Sequence, residues 1–367
     1  MTERESEVDQ KLRRIEKLLD ALNLQGVCLS KAYNFSWITG GGINRVVTGS
    51  ETGAAAIVIL EKKKYIIAPK NEIERFMEEQ VAGLGFEPWT YEWYENRADA
   101  IRKLVGQRKI GTDIPMNEWL VLGAELNRLR YSLTVEEVKR AEELSEICSR
   151  EMAAACLSIV PGQSEFDIQA ELSKRLMCQG VRPAVLLVAV DERKKFRHPV
   201  TTAKRLKNYA IIGIVGEKGG LHSALTRSVY FGSLPETLRN NYKAALEVER
   251  TFLNNCRIGV DCNTVFEKGN EAYSKAGFPN EWKRHHQGGA IGYIPREYRI
   301  GETQHEVFVP NQMLAWNPTV DGTKVEETVL LMPDNKLKFL TTVPEWWPME
   351  RVIISDQQVQ LPQILVR

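Results

Sequence analysis

A mixed α/β (α+β) protein of two domains, a small α/β domain followed by a larger one, is predicted by three observations. Strands alternate with helices over about the first 130 residues, the signature of a self-contained α/β layer structure. Near Ser132 the pattern changes: Ser132-Leu133-Thr134-Val135-Glu136-Glu137 offers a helix start, with Thr134 as N-cap and Glu137 at the reciprocal capping position. Beyond it, Pro161-Gly162-Gln163-Ser164-Glu165-Phe166 and Ile258-Gly259-Val260-Asp261-Cys262-Asn263 each follow a long helix, lead into a second helix and precede strand-rich sequence. They stand about 97 residues apart and suggest two related halves. The boundary is placed so that residues 1–131 form the first domain and 132–367 the second.

In chain order, residues 3–22 carry Val8, Leu12, Ile15, Leu19 and Leu22 on one helical face. A strand at 26–29 and a helical turn closing on Gly40-Gly41-Gly42 follow. Residues 54–60 and 64–68 read as two strands around a polar turn. A helix over 71–81, a strand over 88–93, a helix over 98–104 and a strand over 109–112 complete the domain. In the second domain the helix begun near Ser132 runs to about Ile159, where Pro161-Gly162 stops it. Met152 to Leu157, with Cys156, reads as a tightly packed helix face. Tyr209 to Gly232 reads as a hairpin with a Gly-rich turn, its first strand apolar on both faces as a central strand would be. Trp346-Trp347 reads as an exposed pair packing on another subunit or on the first domain.

Composition narrows the function classes. A chain that is 43% hydrophobic and 26% charged is an ordinary globular protein, and a net charge of +1 gives no case for nucleic acid or an anionic membrane. No apolar run reaches membrane-spanning length, and the charged start Met1-Thr2-Glu3-Arg4 does not read as a signal peptide, so a cytoplasmic location is expected. Six cysteines without C-x-x-C spacing are expected to be reduced and mostly buried.

Four polar clusters interrupt apolar surroundings in the second domain: Arg197-His198-Pro199-Val200-Thr201-Thr202, His285-His286-Gln287, Arg296-Glu297, and Asn317 with Glu326. The richest is Arg284 to Glu297, which holds two of the five histidines and three glycines. Glycines let a backbone approach something closely, and imidazoles bind metals or move protons. Polar groups entering a sheet interior must be paired, so these clusters are expected to face a cleft and one another.

Their order and spacing resemble the pita-bread family of creatinase, aminopeptidase P, prolidase and methionine aminopeptidase. The resemblance covers both domains and implies a creatinase-like N-terminal domain, a pseudo-twofold catalytic domain and a homodimer, with Asn34, Trp37 and Gly40-Gly41-Gly42 toward the partner's cleft. Carried over from the family's metallopeptidases, the five metal-ligand positions fall on Gly213, Ala224, His285, Asn317 and Glu326. Two aspartates and one glutamate are then missing, and no metal cofactor is expected. Pro199-Val200-Thr201-Thr202, Ala224-Leu225 and Arg296-Glu297 are similar to creatinase, which lacks the metals. Its proton-transfer histidine falls on Arg197, with His198 one residue on, and a second family histidine falls on Gly292.

The residues suit a small polar substrate. His198, or else His285 or His286, would be the general acid–base, and Glu326 would pair with a cationic amidine or amine. Arg197, Arg296 or Arg299 would clamp a carboxylate, while His286, Gln287, Glu297 and Asn317 would complete the substrate wall. The expected function is metal-independent hydrolysis of a C–N bond in an amidine, amide or dipeptide-like substrate. The alternatives are a catalytically inactive binding protein on the same fold, and a single atypical metal held by His285, His286, His222 and Glu326.

Overall fold

The computed structural model describes residues 2–116 and 118–367, and the chain divides into two compact units, residues 1–137 and 138–367. The first unit opens with α1 (Glu3–Ala21), started by a Thr2–Glu5 capping box. Strand β1 (Gly26–Lys31), α2 (Ala32–Ile38), β2 (Thr52–Leu60) and β3 (Lys63–Pro69) follow. Next come α3 (Ile73–Arg75), β4 (Glu87–Tyr91), α4 (Arg97–Val105), β5 (Ile110–Thr112), β6 (Leu120–Val121) and α5 (Ala124–Arg128). The strands form one sheet in the order β4-β3-β2-β1-β5-β6, antiparallel along β3-β2-β1 and parallel towards both edges. Its core packs Val58, Ile67, Ile101 and Val105.

The helix expected over 71–81 is only α3 followed by a π turn, Phe76–Gln80. The physical reason lies in the spacing of Phe76 and Val81. Both are buried, and the Val81 N–H donates to the Phe76 carbonyl across five residues, which puts both side chains on one face. A buried charge network closes this unit: the Lys11 ammonium lies 2.7 Å from Glu137, contacts Glu7 at 2.5 Å and donates to the Trp37 carbonyl. Buried ions are tolerated only when paired in this way.

Helix α6 (Val135–Ser158) starts at the predicted capping box: the Thr134 N–H donates to Glu137 at 2.7 Å and the Glu137 N–H to Thr134 Oγ1 at 3.2 Å. Ala153, Ala155 and Cys156 are buried, as the small-residue run predicts. Two halves then repeat the same order. In the first, α7 (Glu165–Cys178) leads to β7 (Arg182–Val190), β8 (Tyr209–Lys218) and β9 (Leu221–Tyr230). In the second, α8 (Glu236–Asn255) and α9 (Cys262–Lys275) lead to β10 (Gly288–Ala290), β11 (Tyr298–Arg299) and β12 (Gln312–Trp316). The short strands β13 (Thr319–Val320) and β14 (Thr323–Lys324) precede β15 (Glu327–Leu331) and β16 (Leu337–Phe339). Both α7 and α9 are 14 residues long and begin at a side-chain cap, Ser164 and Asp261.

The predicted hairpin is β8–β9, whose turn residues Gly219 and Gly220 both take positive φ, the conformation a two-residue hairpin turn demands. It pairs with β7 and β19 (Leu365–Val366), while the second half forms the sheet β11-β10-β12-β15-β16. A further hairpin, β17 (Met349–Ile354) with β18 (Gln357–Pro362), precedes β19. Trp347 departs from the exposed pair expected of it. It is buried and its indole N–H donates to the Gln363 carbonyl, because the hairpin folds back over it, and only Trp346 is half-exposed. All six cysteines are free, and Cys178 alone among them is exposed.

The two sheets meet where β9 crosses β15. The Thr328 hydroxyl bonds both the N–H and the carbonyl of Ala224, and Arg227 grips Glu327 through two N–H···O bonds of 2.6 and 3.1 Å. Both members of this pair are buried, so removing one strands the other's charge. Arg227→Ala is expected to cost about 3–5 kcal/mol in urea unfolding; a loss below about 1 kcal/mol would show that the pair does not hold the sheets together.

Candidate active site

The loop carrying His198 is built around a buried carboxylate that sequence reading passed over. Glu165, the first residue of α7, accepts from the Val190 N–H at 3.0 Å, from Arg193 at 2.7 Å, and from the N–H and hydroxyl of Thr202 at 2.8 Å each. Arg193 also donates to the Val200 carbonyl. The Pro199-Val200-Thr201-Thr202 run is thereby fixed from behind and presents His198. Arg197 turns to Glu281, on the turn before His285, so this ion pair ties the two histidine loops together.

Three imidazoles converge there. His198, His285 and His286 each bring a ring nitrogen within 4.8 Å of the others, and the His198 and His285 Nε2 atoms are 3.2 Å apart. Two nitrogens at that distance share one proton, one donating and the other accepting. His222 lies elsewhere: it is buried, and its backbone N–H and Nδ1 both meet the Gly292 carbonyl, so it does not join His285 and His286 in a single-metal cluster.

Beside the histidines is a cavity of about 190 Å³. Val185, Leu187, Ile214 and Val215 of β7 and β8 give it an apolar floor, and His198, His286, Arg296, Arg299, Asn317, Lys324 and Glu326 give it a polar wall. Of the residues expected at the site, His198, His286, Arg296, Arg299, Asn317 and Glu326 are thus brought together. His285 is behind His198 and faces a neighbouring cavity. The remaining three are engaged with protein. Gln287 is buried, accepts from the Tyr273 hydroxyl and donates to the His285 carbonyl. Glu297 accepts from the Tyr293 N–H, and Arg197 pairs with Glu281.

Glu326 is the electrostatic centre of the wall. Its carboxylate takes the Lys324 ammonium at 2.7 Å, the Thr226 hydroxyl at 2.8 Å and the Arg296 guanidinium at 3.0 Å. Burial pushes the carboxyl up, but the two cations and the hydrogen bonds outweigh it and hold it below the ordinary range. The expectation that Glu326 receives a cationic substrate group meets a direct obstacle, since two protein cations already occupy both oxygens. Sequence reading does not single out Lys324, although it lies two residues before Glu326, a spacing that puts both side chains on one side of an extended backbone. Its ammonium is 3.8 Å from where a Cβ on Gly213 would stand. Among the described residues of this wall, Asn317 Oδ1, Arg296 Nε and His286 Nδ1 are buried without a hydrogen-bond partner, leaving an amide acceptor, a guanidinium donor and an imidazole nitrogen for a ligand.

Burial first, then the nearby positive charges of Lys324 and the arginines, push the imidazoles down: His285 to about 2, His286 to about 3, and His198 below its ordinary value. His285 and His286 are therefore neutral in the fold, and their stabilising contribution is complete above the unfolded histidine pKa of about 6.5. It is lost as pH falls through the window from about 6.5 towards those depressed values. The urea midpoint is expected to drop between about pH 6.5 and pH 4, with His285→Gln reducing the slope. An unchanged slope in that variant would show that His285 is not held neutral by the fold.

The family model described as metallopeptidase family M24 matches residues 136–333, and that of the creatinase/prolidase N-terminal domain matches residues 11–148. An Xaa-Pro dipeptidase of Pyrococcus horikoshii is 19% identical over 364 residues, covering 92% of this chain and 99% of its own. One of Pyrococcus furiosus is 22% identical over 353 residues, covering 90% and 97%. The solved Xaa-Pro dipeptidase from Bacillus anthracis superposes with a TM-score of 0.78 at 17% identity, over 98% of this chain and 100% of that one. At such identities the likeness speaks for the fold, and the family models speak for descent. The chain belongs to metallopeptidase family M24, in the pita-bread group of creatinase, aminopeptidase P and prolidase, with a creatinase/prolidase-type N-terminal domain.

Proposed function

We propose that this protein hydrolyses a C–N bond of a small amide, amidine or dipeptide-like substrate without the two-metal chemistry of its family. The observation that carries the reading is the Lys324–Glu326–Arg296 arrangement. A dinuclear centre needs several carboxylates to offset two dications. Here the wall's carboxylate is already neutralised by two cations, and Gly213 and Ala224 bring no donor atoms, so the residues do not fit such a centre. A Cβ-bearing ligand at Gly213 would point at an ammonium.

The same residues support a reaction run by fixed cations and an imidazole. Neutral His198 takes a proton from water as the water oxygen adds to the carbonyl carbon. The negative charge arriving on the carbonyl oxygen is met by the Lys324 ammonium, which stands ready without reorganising. Asn317 Oδ1 accepts from the substrate N–H. The proton on His198, steadied by His285, passes to the amine nitrogen as the C–N bond breaks, releasing a carboxylic acid and an amine. His198 carries this role because it faces the cavity and the other two imidazoles back it.

Substrate is found by thermal-shift screening of guanidino compounds, amino-acid amides and Xaa-Pro dipeptides, with and without divalent metal. For a hit that is turned over, His198→Ala is expected to lower kcat by about 10²–10⁴-fold with the unfolding midpoint unmoved. Near two equivalents of metal per purified chain, with turnover abolished by chelation, would overturn the reading.

A further inference from the structure

The charge of the pocket wall goes further than the reaction class, resting on the reading of this cavity as the substrate site. Lys324, Arg296 and Arg299 bring three cations to the lining, and Glu326 is the carboxylate among the lining residues. Two positive charges are therefore left uncompensated. Glu326 is spent on Lys324 and Arg296, while Arg299, exposed at the mouth on β11, has no ion-pair partner among the described residues. Arg296 keeps a buried, unpartnered Nε. His198 and His286 add no negative charge to this lining. The cavity of about 190 Å³ has room for a ligand of amino-acid size.

We infer that the substrate is a small dianion bearing an amide, of the class of N-acylated acidic amino acids. One carboxylate is taken by Arg299 at the mouth, whose guanidinium matches a carboxylate in two-point fashion, and the other by the unpartnered Nε of Arg296, leaving Lys324 for the carbonyl oxygen. The amide N–H is then directed to Asn317 Oδ1, the buried acceptor without a protein partner. A cationic or zwitterionic ligand finds no free carboxylate in this lining to receive its amine.

The test is isothermal titration of the intact protein with N-acetyl-L-aspartate, N-acetylglycine, glycinamide and inorganic phosphate, at about 50 and about 500 mM salt. The dianion is expected to bind at least about tenfold more tightly than N-acetylglycine, and more weakly at high salt, with glycinamide not binding. Arg299→Gln is expected to remove that tenfold preference without moving the unfolding midpoint, because the side chain is exposed and makes no ion pair among the described residues. Glycinamide binding as tightly as the dianion, or a preference unchanged in Arg299→Gln, would overturn the inference. So would phosphate binding as tightly as the dicarboxylate, which would mark a general anion site. Binding and turnover separate the two readings. A dianion that binds selectively but is never cleaved sinks the hydrolase and keeps the charge preference. A neutral amide cleaved while no dianion binds does the reverse.

Discussion

The second unit of this protein is arranged around one buried carboxylate that cannot be left alone. Removing an ion from water costs several kcal/mol unless it is paired, so Glu326 must be met on both oxygens. It is met by Lys324 from its own strand region, by Arg296 from the loop between β10 and β11, and by the Thr226 hydroxyl from β9. Satisfying one group thus draws three separated pieces of chain to one point. The Arg227–Glu327 pair does the same on the opposite face of these strands, since residues 226 and 227, like 326 and 327, point to opposite sides. The site and the joint between the sheets are two faces of one crossing.

The same constraint shapes the chemistry. In this family the resemblance assigns the corresponding positions to metal ligands, where cations are imported and the protein supplies anions. Here the protein supplies cations from its own chain, one carboxylate binds them together, and the nearby imidazoles are held neutral. In the reaction proposed above, fixed ammonium and guanidinium groups act by charge and hydrogen bonding rather than as Lewis acids, and their preorganisation is what makes that stabilisation effective. Behind this wall, Glu165 and the Arg197–Glu281 pair hold the histidine loops in register. These groups position without touching the cavity, and their contribution is geometric precision.

Much of the fold was legible from local signals. Thr134 and Glu137 announced a helix start that the capping box confirms, Gly219-Gly220 announced a hairpin turn, and the two Gly- or Asp-led entries into α7 and α9 announced the duplicated layout. Each depends on neighbours in the chain, so propensity and turn chemistry suffice. The helix expected over 71–81 shortened to α3 and a π turn because Phe76 and Val81 both seek the core, a tertiary demand that periodicity over a few residues does not register. Trp347 was misread for the same reason, since the hairpin that buries it comes later in the chain.

The sequence by itself determined the family, the layout of two halves and the residue types gathered at the site, because these rest on spacing and on what each side chain can do. Only the tertiary structure decided which of those residues meet. It separated His285 from the cavity wall, committed Gln287 and Glu297 to backbone and side-chain partners, and added Lys324, which sequence reading does not single out. It also turned Glu326 from a carboxylate awaiting a cationic ligand into one already saturated by the protein. The physical reason is that charge balance in a cavity is a sum over strands far apart in sequence, and that sum exists only once the sheets have closed.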